Sequence, residues 1–120
     1  MTYNAFILDW TMDNYRELKA KLLKYGFAYL PEPGSRHIRV AVTWKFIAEF
    51  AALCQEHLNR PCNYVDIQFP AEGTTVVVFQ TKTFFVKNRE ENERVRRWAL
   101  AQGLPAQQVD WPVAVLEPVL

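Results

Sequence analysis

The feature that most restricts the fold is the run from Thr74 to Gly103, where a dense apolar segment leads into a helix marked at both ends. Thr74-Thr75-Val76-Val77-Val78-Phe79 carries apolar side chains on both parities just after Gly73. That is the pattern of a strand covered on both faces, and so central in its sheet. The polar Gln80-Thr81-Lys82-Thr83 follows before Phe84-Phe85-Val86 resumes, so 74–86 reads as one long strand or as a hairpin. Asn88 then offers a side-chain N-cap, and Glu91 stands three residues on, where it completes a capping box. Glu90, Glu91 and Glu93 precede Arg94, Arg96 and Arg97, the charge order the helix dipole favours. Gly103-Leu104-Pro105 spells a Schellman-type stop.

Upstream, Ala5-Phe6-Ile7-Leu8 reads as a buried strand. Thr11 or Asp13 then caps a helix with Tyr15, Leu18, Leu22 and Tyr25 at helical spacing, ended by Gly26. Phe27 to Leu30 and His37 to Val42 suggest a hairpin across the turn-rich Pro31-Glu32-Pro33-Gly34-Ser35. Thr43 is placed to cap a second helix, with Phe46, Ile47, Phe50, Leu53, Cys54 and Leu58 as its inward stripe and Gln55 facing water. Tyr64 to Phe69 alternates as a further strand. The order β-α-β-β-α-β predicts an α+β fold of the ferredoxin-like, split βαβ kind. A weak echo supports two related halves, since Phe6 to Trp10 and Val40 to Trp44 each pass from strand through Trp into a helix.

The expected organisation is one α+β domain over residues 1–120, with the ferredoxin-like core at 1–70 and an added strand and helix at 71–104. Residues 105–120 are expected as an apolar C-terminal strap or edge strand, because Pro112 and Pro118 bar a central position. A chain of 120 residues buries roughly two-thirds of the surface it exposes when unfolded, so neither a metal nor a disulfide is needed for stability. Two cysteines, Cys54 and Cys62, fit reduced thiols. With no secretory leader pattern and no apolar run of membrane length, the sequence reads as soluble and cytoplasmic, with no membrane partner.

Three constellations bear on function. First, if the helices cover the side bearing Ile38, Val40, Val42, Val65, Ile67 and Phe69, the opposite side of the sheet shows His37, Arg39, Ala41, Tyr64, Asp66 and Gln68. That mixed face suits a ligand or partner, and equally a solvated surface with an Arg39–Asp66 cross-strand pair. It lacks the stacked aromatics of an RNA-binding sheet. Second, residues 82–97 hold six basic against three acidic side chains, a local charge of +3 within a chain of net +1. Lys87, Arg94, Arg96 and Arg97 are the candidates for phosphate contacts, but Glu90 and Glu93 sit one turn before Arg94 and Arg97 and neutralise much of that field.

Third, Cys54, His57 and Cys62 lie close enough in sequence to suggest metal ligation, with Asp66 or His37 as a fourth donor. Cys54 belongs to the apolar stripe, however, so structural cysteines beside a peripheral histidine are the simpler expectation, and no metal or cofactor is assigned. No phosphate loop, nucleophile elbow or zinc-protease motif occurs, and no residue is assigned as catalytic. The expected function is therefore a non-catalytic interaction or regulatory module, a homodimer or a subunit of a larger protein assembly. Trp111, beside Pro112 in the apolar tail, joins His37, Arg39, Tyr64, Asp66 and Gln68 as a candidate partner contact. The alternatives are a nucleic-acid binder using the Arg-rich last helix and the open sheet face, and a small enzyme or metal- or ligand-binding protein centred on Cys54, His57, Arg39 and Asp66.

Overall fold

The computed structural model describes residues 2–31, 34, 36–113 and 116. Two three-stranded antiparallel sheets and three helices make an α+β domain. β1 (Tyr3–Leu8), α1 (Tyr15–Lys24), β2 (Tyr29–Pro31) and β3 (His37–Val42) come first. They are followed by α2 (Ile47–His57), β4 (Tyr64–Phe69), β5 (Thr74–Phe79), β6 (Thr83–Val86) and α3 (Arg89–Ala101). One sheet has the order β1-β3-β2 and the other β4-β5-β6. They meet edge to edge along β1 and β4, where the Tyr3 and Phe69 rings lie 5.5 Å apart.

Alternation dictates what each strand buries. Ile38, Val40 and Val42 on β3 and Val65, Ile67 and Phe69 on β4 all point to one side, into a core shared with Leu18 and Leu22 of α1 and Phe50 and Leu53 of α2. β5 is buried at all six positions. Val76 and Val78 join that core, while Val77 and Phe79 face a second cluster with Val95 and Ala99 of α3 and Leu104, Val109, Trp111 and Leu116 beyond it. The doubly covered central strand expected from its two-parity apolar run is thus found. The segment 74–86 is a hairpin, so the addition to the first four strands is β-β-α rather than a single strand and helix. Phe79 N–H donates to Lys82 O at 2.8 Å across a turn centred on Gln80-Thr81.

The last helix ends where its sequence predicts. Glu91 N–H donates to Asn88 Oδ1 at 2.8 Å, the N-cap bond, while the Glu91 carboxylate accepts from Lys87 N–H at 3.2 Å and from Asn88 Nδ2 at 3.1 Å, one residue short of the expected capping box. At the other end, Leu104 N–H reaches Ala99 O and Gly103 N–H reaches Leu100 O, both at 3.1 Å, with Gly103 at φ +98°. These are the two bonds of a Schellman motif.

Elsewhere local expectations give way to packing. Neither Thr11 nor Asp13 caps α1; its N-cap is Asn14, in the left-handed region at φ 51°, while Thr11 Oγ1 donates back to Leu8 O. Thr43 makes no side-chain cap bond, and Trp10 and Trp44 each sit in a single 3₁₀ turn between strand and helix, as the sequence echo suggested. Tyr25 and Phe46, expected inward, are largely exposed. Gln55, expected in water, donates to Phe79 O and Thr83 Oγ1 and so ties α2 to the β5–β6 hairpin. No helix among the described residues is long and apolar enough to cross a membrane.

Candidate functional site

The two sheets differ in how they are covered. Across β4-β5-β6, α3 and the segment 104–113 close the side away from α1 and α2. Across β1-β3-β2 that side carries no helix, and it displays Phe6, 49% exposed, opposite Arg39, and Leu30, 58% exposed, on the far side of Arg39. Where the covered and uncovered halves join, a hollow of about 350 Å³ opens between β1, β4 and the segment 104–110. Phe6, Leu8 and Trp10 line it from the β1 side, Tyr64 and Asp66 from β4, and Leu104 and Asp110 from the C-terminal segment.

The ionisable groups here are acidic. Tyr64 Oη donates to Asp110 Oδ1 at 2.8 Å, with Gln108 O 3.2 Å away. Burial, reinforced by the Asp110 carboxylate, holds the Tyr64 hydroxyl in its neutral form well above the usual phenol range. Asp66 stands on the same face of β4, two residues on. Its carboxyl is pushed up to about 6, first by burial and then by repulsion from Asp110. Among the described residues neither carboxylate has a basic partner. Arg36, the nearest cation at the rim, is bound to Asp9 at 3.1 Å and lies 5.6 Å from the Trp10 ring.

The face expected from alternation is found with the right parity but divided. Tyr64 and Gln68 lie under the C-terminal segment, with Gln68 Nε2 donating to Pro112 O and Gln68 Oε1 accepting from Thr75 Oγ1 at 3.1 Å. His37 and Arg39 lie on the other half, with His37 edge-on to Phe6 at 5.5 Å. An Arg39–Asp66 pair does not form, because β1 runs between β3 and β4 and Asp66 is influenced by Asp110 instead. Ala41 shares the uncovered face. Trp111, expected as a partner contact, is buried within its own domain. It is 5% exposed, its Nε1–H donates to Asn92 Oδ1 at 2.8 Å, and its ring packs 5.2 Å from Tyr64. The edge strand expected at 113–116 lies partly outside the described residues; Leu116 N–H donates to Val113 O at 3.0 Å, and Leu116 is buried.

Cys54 and His57 do not converge on a ligand position. Cys54 is fully buried, and burial pushes its thiol far up, which keeps it from acting as a thiolate. His57, expected at the periphery, is 4% exposed. Its Nδ1 lies 2.8 Å from Asp13 O and its Nε2 is 3.3 Å from Lys21 Nζ, which places the ring proton on Nδ1. The ring joins the end of α2 to the turn before α1. Among the described residues no three His, Cys, Asp or Glu side chains gather as a metal site. On α3, Arg94 pairs with Glu90 at 3.1 Å as expected, but Glu93 pairs with Arg96 rather than Arg97, at 3.6 Å. Arg96 also donates to Val109 O, which draws it to the C-terminal segment, while Lys87 and Arg97 are exposed.

Two residues of the hollow had little signal in the sequence. Asp110 belongs to a segment read as an apolar strap. Phe6 sits in an apolar run whose outer parity is left uncovered only because no helix follows on that side. Comparison with family models, curated proteins and solved structures finds no match to this chain.

Proposed function

We propose that the protein is a non-catalytic interaction module that docks a protein partner on the uncovered face of β1-β3-β2. The observation carrying this reading is the contrast between the sheets. The same chain packs helices on both sides of the central strand β5, yet on the uncovered face of β1-β3-β2 Phe6 and Leu30 flank Arg39, with Trp10 just after β1, each about half exposed. Exposed apolar side chains gathered on one surface, with polar groups around them, mark interaction sites on soluble domains. His37 and Arg39 border the same surface and supply its polar component. The chemistry of the hollow supports binding: two carboxylates and a neutral phenol attract a cation, with the partly exposed Cys62 thiol among the other lining groups and Cys54 walled into the core.

The double variant Phe6→Glu, Leu30→Glu tests the reading, since both side chains point away from the core and the fold tolerates charge there. Light scattering and cross-linking in native extract are expected to show a complex with the wild-type chain that the variant loses. A monomer with the same neighbours in both forms would refute it. We further propose a ferredoxin-like topology for the first four strands. Its support is the β-α-β-β-α-β order, the antiparallel β1-β3-β2 pairing, and β4 lying against the free edge of β1.

A further inference from the structure

We infer that the hollow at the β1–β4 seam is a binding site for an organic cation, a primary ammonium or guanidinium group carried on an apolar stem. This rests on the interaction-module reading and names the chemistry the module recognises. The size comes first: about 350 Å³ admits a single small ligand or one long side chain. Its charge has one sign. Asp66 and Asp110 enter from opposite walls, β4 and the C-terminal segment, and no Lys, Arg or His lines the space among the described residues. Tyr64 links the two walls through its bond to Asp110, which fixes where that carboxylate points.

The walls complete the selection. Phe6 and Trp10 present aromatic surface at the mouth, each about half exposed even with His37 edge-on to Phe6 and Arg36 5.6 Å from the Trp10 ring, and Tyr64 adds a third ring. Aromatic faces beside carboxylates favour a cation over a neutral or anionic group of the same shape, because the ring quadrupole and the carboxylate charge act in the same sense. A cation placed between Asp66 and Asp110 also offsets the repulsion between the two carboxylates. An inorganic divalent ion is the poorer match. It requires six or more oxygen ligands, whereas the charged oxygens here come from two carboxylates only, and no three His, Cys, Asp or Glu side chains gather among the described residues.

Titration calorimetry on the full chain tests the inference with benzylamine and agmatine as probes, benzyl alcohol as the uncharged counterpart, and calcium as the inorganic cation. Saturable binding of both organic cations is expected, at least tenfold tighter than benzyl alcohol or calcium. Asp110→Asn is expected to weaken the cations tenfold or more while leaving benzyl alcohol unchanged. Trp10→Ala, at a position 55% exposed, is expected to weaken them severalfold. Equal binding of benzylamine and benzyl alcohol, preferential binding of calcium, or no saturable binding at millimolar concentration would each overturn it. A peptide with one central arginine separates the two sources of the group. Tighter binding of the peptide than of agmatine assigns the cation to a partner's side chain, and equal binding assigns it to a free small molecule. Loss of cation binding with the Phe6, Leu30-dependent complex intact would refute this inference and leave the docking reading standing.

Discussion

Replacing Asp66 by Asn should stabilise the protein, and the gain should depend on pH. In the folded chain the Asp66 carboxyl is raised from 3.8 to about 6 by burial and by Asp110. Each unit is worth about 1.36 kcal/mol, so keeping this group ionised costs the fold up to about 3 kcal/mol at pH 8. The sign follows from proton binding. Between the unfolded and folded values the folded state holds the proton and the unfolded state does not, so the contribution of this group is most favourable below pH 4 and is lost as pH rises through 6. Asn keeps the shape and removes the charge. The expected gain for Asp66→Asn is about 3 kcal/mol at pH 8, shrinking to about 0.5 kcal/mol at pH 4. Urea unfolding at the two pH values measures it, as a midpoint shift of roughly 1–3 M at pH 8 with unchanged slope. A shift of the same size at both pH values would mean the effect comes from packing, and no shift at pH 8 would mean the carboxyl is not strained in the fold. A side chain kept at a cost to stability is the kind of group a binding site retains.

Asn88→Ala removes the acceptor for Glu91 N–H and should cost about 1 kcal/mol, read as a fall of several degrees in thermal midpoint. Trp111→Ala should cost about 3–5 kcal/mol in urea unfolding, since it empties a buried site beside Tyr64 and Phe79. Trp111→Phe should cost about 1–3 kcal/mol because it strands the Asn92 amide without its partner. Titration with a single-stranded oligonucleotide at low salt should show no saturable binding, since Arg94 and Arg96 are paired with Glu90 and Glu93. Steeply salt-dependent affinity would revive the nucleic-acid reading.

Where a local signal and the packing agree, the chain could be read directly. Asn88 with Glu91 and Gly103 with Leu104 set both ends of α3, because caps and left-handed stops are governed by residues within one turn. Alternation placed the inward side chains of β3 and β4 for the same reason. The β5–β6 hairpin was harder to see, because Gln80-Thr81 carries none of the Asn-Gly chemistry of tight turns. Among the described residues, positive φ occurs only at Asn14 and at glycines, so the turn is not of the primed kind such a signal marks. The hollow was least legible. Its parts come from β1, β4 and a segment more than 40 positions further on, joined by the Tyr64–Asp110 bond, and no short window holds more than one of them. Trp111 misled for a related reason, since a tryptophan in an apolar tail has the same sequence whether it meets a partner or its own sheet.

The double burial of β5 also bears on how the chain is assembled. Its two parities belong to different clusters, and the second is completed by Leu104, Val109, Trp111 and Leu116, all later in the chain than the strand they cover. During synthesis β4, β5, β6 and α3 are therefore made before the rest of that outer cover, and Val77 and Phe79 are only partly covered, by Val95, Trp98 and Ala99, until those later residues emerge. Any pause in translation between Gly103 and Trp111 holds the nascent domain with an adhesive flank turned outward, where a chaperone or a neighbouring nascent chain would engage it first.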